Sequence, residues 1–510
     1  MSAALFLAIL LAPLIRSDVL FYGGAANHDA FFWVMGAERL RESNYLALFT
    51  RNAEHPWLNV TTAIAGWQPG WGRMGSEAWV ALCASLTQTS PLRAYLFASA
   101  ALFSVWLAAC YLVIRFFIVD RVTGVMLAML GAAQPLFAFF HHNENLPNLL
   151  GMLAGTTFVL GLEHSFRAVA RRDRVLEVGV AAVAFHALLC SYPEMAPFVL
   201  LPAGALTLRR VVGEPRTQAW AIAALFSAST LGALINPATT VRAWHGFGVS
   251  FASARANTNW ANVLGKTEPS EFIPALLSLS SKVGTELGVV GGALASLGLI
   301  VAFGFVVARS RDRVGLLALF LGALVLAGYT AQTGFLYGWQ KTVQFSAIFI
   351  ASVLPVGVVA LAGALNARLS RAGVIAAAIV FFAYVQVVVF TDNWKWSGRK
   401  TLHRDWLDLG SALRDARVER VVIEADTFQW AFFHSMWATY FLRDVTISFA
   451  AGSAQSGGYA HESVAFESPH DTRAPRLVSR EWADTVGTGQ ARLLTGSDFA
   501  LLAPRPVSSP

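Results

Sequence analysis

Eleven apolar runs divide most of the chain, and nearly all are long enough to cross a bilayer as α-helices, which takes roughly 17–25 residues. Only 14% of the 510 residues are charged, against about 25% in a typical soluble protein. So few charges cannot cover this much apolar chain in water. The sequence therefore predicts an all-α polytopic membrane protein, and it excludes cytosolic enzymes, secreted disulfide proteins and nucleic-acid binders. The approximate limits of the runs are 2–21, 92–114, 122–140, 148–166, 175–191, 195–208, 218–236, 286–308, 314–331, 343–365 and 372–391.

Arginine-rich links fall on every second connection between these runs. They hold fourteen arginines against four acids. By the positive-inside rule these links are cytoplasmic, which places the N-terminus inside and the C-terminus outside. An uncleaved first span is favoured over a signal peptide, because no basic segment precedes the run. The links are 115–121, 167–174, 209–216, 309–313 and 368–371.

The composition changes after Thr391, where charged residues become frequent. Helical patterns at about 402–416 and 428–442 alternate with strand patterns at 420–424 and 445–449. We therefore predict a transmembrane domain over 1–391 and a small extracytoplasmic α/β domain over 392–510.

Polar residues that could do chemistry gather at four predicted outside helix ends. Each has a structural alternative: Asp29 and Glu194 could cap helices, the turn at 141–144 could be solvated, and Lys341 could anchor its helix at the interface. All five lysines of the chain lie on the outside, against 33 arginines overall, which favours a specific use for Lys341. The residues concerned are His28, Asp29, His141, His142, Glu144, Tyr192, Glu194, Gln340 and Lys341.

This arrangement resembles the GT-C superfamily of membrane glycosyltransferases. The shared marks are an Asp just after span one, a second acidic turn after span three, a long later outer loop (237–285 here) and a soluble C-terminal domain. The resemblance implies sugar transfer from a polyprenyl-phosphate-linked donor to a glycan, lipid or protein acceptor, on the outer face of a bacterial inner (plasma) membrane. It also implies that Asp29 is the catalytic acidic residue of the first loop and that Glu144 is the second acidic residue.

One departure concerns the first loop, where many members have paired acids but this chain has His28 before Asp29. No ligand spacing is diagnostic, so a divalent metal ion stays a possible cofactor.

The chemistry assigns further roles. An acceptor hydroxyl must lose a proton, for which Asp29 is the expected general base. The leaving phosphate needs a cation, for which Lys341 comes first, followed by Arg255 and Lys266. The histidines His28, His141 and His142 could orient Asp29, bind the acceptor or hold a metal ion. Two alternatives stay open: a polysaccharide polymerase or ligase, and a lipid-linked sugar transporter, which would place ionisable groups near the bilayer midplane.

Overall fold

The computed structural model describes four stretches of the chain and scattered positions in between. They are residues 6–42 except 9, 16–17 and 24–28, residues 74–256 except 116–119, 133–134, 143 and 214–217, residues 400–450, and residues 473–504. Between 301 and 391 it describes isolated positions and the apolar helix Pro355–Ala364.

The described part up to residue 256 is mostly helical, as predicted. Its helices are α1 (Asp29–Glu42), α2 (Gly75–Thr87), α3 (Pro91–Ile114), α4 (Arg121–Ala132), α5 (Pro135–His142), α6 (Leu146–Arg167), α7 (Arg171–Ser191), α8 (Ala196–Gly213), α9 (Gln218–Leu234) and α10 (Pro237–Ala256).

Five helices of the described residues are long and apolar enough to cross a membrane. They are α3, α6, α7, α9 and the segment Pro193–Gly213, which contains α8. Each coincides with a run in which the sequence predicts a span. The four predicted spans from 286 onward lie largely outside the described residues.

Two predicted spans are interrupted. In the first, a 3₁₀ turn at Ala12–Ile15 is followed by a strand, β1, at Val19–Tyr22. Pro13 removes a backbone donor, and the β-branched and aromatic residues after it favour extended structure. In the third, α4 ends at Ala132 and α5 begins with Pro135, which lacks the backbone N–H that a helix interior uses.

The helices α6 and α7 form an antiparallel hairpin. A Cβ on Gly161 would lie 3.2 Å from the Cβ of Ala181, and a Cβ on Gly151 would lie 2.7 Å from the Cβ of Tyr192. As the residue number rises along α6, its neighbour on α7 therefore falls. The N-terminal end of α6 and the C-terminal end of α7 consequently lie on the same side of the hairpin.

An ion cluster around the buried Glu163 lies at the opposite end of α6. Glu163 accepts hydrogen bonds from Arg167 at 2.8 Å and from Arg210 of α8 at 2.9 Å. These contacts place two of the arginine-rich links, 167–174 and 209–216, on one side, as the alternation of the links predicts.

The C-terminal residues form the predicted α/β structure with more strands than expected. The described strands are β2 (Thr401–His403), β3 (Arg420–Ile423), β4 (Thr446–Phe449), β5 (Arg476–Ser479), β6 (Arg492–Thr495) and β7 (Phe499–Leu502). The sheet order is β4-β3-β5-β7-β6, with β3 parallel to β4 and β5. The two predicted helices are present, as Trp406–Asp415 and Ala431–Phe441.

The chain divides into two compact units that are not continuous in sequence. The membrane-helix unit comprises Met1–Leu10, Gly70–Ser76 and Ser99–Asn393, and the sheet unit comprises Leu11–Pro69, Glu77–Ala98 and Trp394–Pro510. The sheet unit includes part of the first outer loop because β1 pairs antiparallel with β2. The predicted division into domains 1–391 and 392–510 stays a prediction.

Candidate functional site

Asp29 lies in the sheet unit, as the first residue of α1, and its side chain is half-buried. The first turn of a helix carries partial positive charge from the aligned backbone dipoles. A carboxylate there is stabilised in its ionised form, which is the form that accepts a proton.

Aromatic packing within the sheet unit holds α1 in place. The ring of Phe31 meets the Trp437 indole edge to face at 5.2 Å, and Phe21 of β1 lies 5.0 Å from the same indole. All three side chains are buried. Asp29 therefore stands on a rigid element rather than on a free loop.

Sequence reasoning missed two buried acids, one on α1 and one packed beside it. Glu38 is 6% exposed and accepts a hydrogen bond of 2.7 Å from the Tyr440 hydroxyl. Glu77 of α2 is also buried, and its Cγ fills the space that a Cβ on Gly36 would need. A signal for Glu38 was present, because it follows the buried Phe31 by seven residues and so shares its helix face.

The second group of candidate residues lies in the membrane-helix unit. His141 and His142 end α5, and both are buried together with Glu144. The Nδ1 of His141 lies 3.0 Å from the Ser99 hydroxyl, and the two imidazole centroids are 5.2 Å apart. The alternative of a solvated turn at 141–144 does not match this burial.

Burial controls the charge of the two imidazoles, which lie beyond the end of the predicted third span. It lowers the pKa of His142 to about 4 and that of His141 well below its usual value, with a further contribution from the neighbouring His142. Both rings are therefore neutral near pH 7, so each offers one hydrogen-bond donor and one acceptor.

Glu144 has an unusual backbone. Its φ is +62°, in the left-handed region that favours glycine. Its N–H donates to the His141 carbonyl at 3.4 Å, and the next N–H, of Asn145, donates to the Phe140 carbonyl at 3.0 Å. These are the two bonds of a Schellman motif, with Glu144 at the position usually held by glycine.

Two other helices of the described residues end in the same way. Gln88 follows α2 with φ +53°, and Arg417 follows the helix Trp406–Asp415 with φ +51°. Both make the corresponding pair of backbone hydrogen bonds, and both side chains are exposed. Glu144 alone among these three is buried, at 2% exposure. A strained backbone combined with a buried carboxylate is typical of functional positions.

Tyr192 and Glu194 lie where α7 ends. Both are buried, and Glu194 belongs to the short 3₁₀ turn Pro193–Met195 that precedes α8. The antiparallel hairpin brings this turn to the same side as Glu144, at the N-terminal end of α6. The structure thus brings five predicted residues to one end of the helices α5 to α8. They are His141, His142, Glu144, Tyr192 and Glu194.

The remaining predicted residues are not assembled with this group. Asp29 belongs to the other unit. His28, Lys266, Gln340 and Lys341 lie outside the described residues. Arg255 falls near the end of α10, so the predicted outer loop at 237–285 begins with a 20-residue helix.

The part of the chain that the structure describes contains no group of three His, Cys, Asp or Glu side chains that could hold a metal ion. His141, His142 and Glu144 therefore do not form a three-ligand site, and we assign them no metal.

No protein-family model matches the chain, and no curated protein matches it. Among solved structures, the chain is similar to ArnT from Cupriavidus metallidurans bound to undecaprenyl phosphate, with 13% identity, a TM-score of 0.49 and coverage of 99% of this chain and 98% of that one. It is also similar to the Archaeoglobus fulgidus oligosaccharyltransferase in complex with Zn and sulfate, with 12% identity and a TM-score of 0.47. That alignment covers 87% of this chain but only 62% of the archaeal one.

A second structure of the archaeal enzyme, tethered to an acceptor peptide with the NVT sequon, gives 11% identity and a TM-score of 0.49, over 94% of this chain and 69% of that one.

Proposed function

We propose that the protein is an integral membrane glycosyltransferase. It would move a sugar from a polyprenyl-phosphate-linked donor to a glycan, lipid or protein acceptor, on the outer face of a bacterial inner membrane. The observation that carries this proposal is the buried, left-handed Glu144, set beside two neutral imidazoles at one end of an apolar helix bundle.

The position of this cluster suits a lipid-linked donor. The 22 residues of α6 extend over about 33 Å at 1.5 Å per residue, which is close to the hydrocarbon thickness of a bilayer. The His141–Glu144 cluster precedes α6, and the Glu163–Arg210 ion pair lies near its other end. A donor with its tail in the hydrocarbon would present its phosphate at the level of the His141–Glu144 cluster.

The proposed reaction is a single displacement. The acceptor hydroxyl oxygen attacks the anomeric carbon, and the bond from that carbon to the phosphate oxygen breaks. The electron pair leaves with the phosphate, and the Asp29 carboxylate takes the hydroxyl proton as general base. Attack opposite the leaving group inverts the anomeric configuration.

The leaving phosphate gains negative charge as the bond breaks. We assign its stabilisation first to Lys341, with Arg255 and Lys266 as further cations. His28, His141, His142, Tyr192, Glu194 and Gln340 are assigned to holding the acceptor and the sugar through hydrogen bonds. Glu144 is the second acidic residue of the site.

A transporter of lipid-linked sugars is the alternative from another class. It would place ionisable groups along a path through the bilayer midplane. The buried carboxylates Glu144 and Glu163 lie instead near the two ends of α6. A polymerase or ligase would share the donor chemistry and differ in the acceptor.

The role of Asp29 as general base is tested by Asp29→Asn. This change keeps the shape of the side chain and much of its capping ability but removes the proton acceptor. We expect donor consumption to fall about 10²- to 10⁴-fold with unchanged thermal stability. The matched control is Glu42→Gln, at the exposed last residue of the same helix. The assay uses purified full-length protein, synthetic short-chain polyprenyl-phosphate sugars and a membrane extract as the acceptor source. Retention of most activity in Asp29→Asn would remove Asp29 from the mechanism.

A further inference from the structure

A basic cavity lies within the sheet unit, apart from the residues assigned to sugar transfer. Its volume is about 400 Å³, within the roughly 300–1,000 Å³ of small-molecule sites. Its walls come from the turn after α2, the start of α3, and the two helices Trp406–Asp415 and Ala431–Phe441. Three arginines line it, Arg93, Arg414 and Arg443, with Asp444 as the acid.

The three guanidinium groups are only partly neutralised. Arg414 pairs with Asp444 at 3.2 Å, and both side chains are exposed, so water competes for that pair. Arg443 lies over the Tyr440 ring at 5.2 Å and is 3.9 Å from Glu38. Among the described residues, Arg93 has no hydrogen-bond or ion-pair partner for its guanidinium. The cavity therefore carries uncompensated positive charge.

The location of Arg93 relates the cavity to the membrane. Arg93 lies in the first turn of α3, which is 24 residues long and apolar enough to span a bilayer. The first turn of such a helix lies at the membrane boundary, and its backbone dipole adds partial positive charge there. Anionic lipid head groups lie at the same depth, and basic pockets at that level bind them.

Exposed apolar side chains continue from the cavity. Phe97 follows Arg93 by one helical turn, so the two share a face of α3, and it is 56% exposed. Leu82 and Leu86 of α2 form a second exposed pair one turn apart, and Leu86 precedes the cavity-lining Gln88. The Trp79 indole N–H donates to the Ala98 carbonyl at 2.9 Å, which holds α2 against α3. A water-soluble anion has no acyl chains, so it would make no contact with the exposed side chains of Leu82, Leu86 and Phe97.

We infer that this cavity binds the phosphate head group of an anionic membrane lipid, with the acyl chains along Leu82, Leu86 and Phe97. Guanidinium groups bind phosphate oxygens bidentately, and three of them surround one phosphate-sized anion better than a single fork could. The site does not depend on the proposed sugar transfer.

The test measures thermal stabilisation of the full-length protein in detergent by dioctanoyl phosphatidic acid. The variant is Arg93→Gln/Arg414→Gln, and the control is Arg404→Gln/Arg420→Gln, which removes the same charge from exposed arginines of the sheet unit outside the cavity. We expect the lipid to stabilise the parent and the control, and its half-saturating concentration to rise about tenfold or more in the variant.

Two further probes identify the ligand. Dioctanoylglycerol lacks the phosphate and inorganic phosphate lacks the chains, so neither should stabilise the parent at the concentrations where the phosphatidic acid does. Equal stabilisation by dioctanoylglycerol, or saturation by inorganic phosphate alone, would overturn the assignment, as would an unchanged response in the variant. If the double variant fails to fold, Arg93→Gln alone decides the question, because the Arg93 guanidinium has no partner to lose among the described residues.

Discussion

Replacing Glu144 by glycine separates a structural from a functional role for this residue. The left-handed backbone costs a non-glycine residue roughly 1–2 kcal/mol, and glycine removes that cost. Against this, the change loses two buried methylene groups at about 0.8 kcal/mol each, and glycine adds freedom to the unfolded chain worth about 0.5–1 kcal/mol. Removing a carboxylate that is only 2% exposed also returns its desolvation cost, of order 1–3 kcal/mol, but it gives up the interactions that the carboxylate makes, which are worth a similar amount.

With desolvation and lost interactions offsetting each other, the remaining terms leave Glu144→Gly about 1 kcal/mol less stable than the parent. A structural acid in a buried ionic network behaves differently, because its removal typically costs about 3–5 kcal/mol. Sugar transfer should be lost in Glu144→Gly and in the isosteric Glu144→Gln.

The assay is thermal denaturation in detergent, combined with donor consumption by the same samples. Arg417→Gly is the matched control, because Arg417 ends its helix with the same motif but is exposed. It should be at least as stable as the parent and fully active. Strong destabilisation of Glu144→Gly, or retained activity in it, would refute a functional role for the buried carboxylate.

Three further predictions use other parts of the chain. Lys341→Ala should lower donor efficiency about ten- to hundredfold, with partial rescue by Lys341→Arg, whereas an interfacial anchor would be replaced fully by arginine in kinetic assays. A cysteine at Ser456 should react with impermeant thiol reagents on intact spheroplasts and one at Ser310 should not; the reverse order would invert the topology. In the sheet unit, His403 donates a 2.7 Å hydrogen bond to Asp498, which raises the pKa of His403 above its ordinary 6.5, so the stabilising effect of this bond is complete below pH 6.5 and is lost as pH rises through the folded-state pKa. Thermal midpoints of the parent and His403→Gln should therefore converge as the pH rises above 6.5, and a constant difference would contradict the coupling.

The sequence predicts best the helices for which the membrane sets the length. α3, α6, α7 and α9 follow from apolar runs of about 20 residues, because a helix must satisfy its own backbone in lipid. The sequence does not predict β1, because its residues Val19–Tyr22 continue the first apolar run without a break in composition. β5 was missed because Arg476 and Ser479 are polar yet buried in it, so its pattern does not alternate.

The candidate site, like the fold, could be predicted from the sequence only in part. Asp29 and Glu144 could be found because each interrupts an apolar pattern at a helix end. The burial of Glu38 could be inferred from the helix face it shares with Phe31, but its partner Tyr440 could not, because Tyr440 is 402 residues away in sequence. The sequence does not predict the left-handed conformation of Glu144 either, since that conformation depends on backbone hydrogen bonds and not on residue type.

Cleavage of the donor bond tests the central claim most directly. The purified full-length protein is reconstituted in liposomes containing a synthetic polyprenyl-phosphate sugar, with a membrane extract as acceptor source, and free polyprenyl phosphate is measured by mass spectrometry. We predict acceptor-dependent release of polyprenyl phosphate, abolished by Asp29→Asn and unchanged by Glu42→Gln. Movement of intact donor between the leaflets without release of polyprenyl phosphate would contradict the account and identify a transporter.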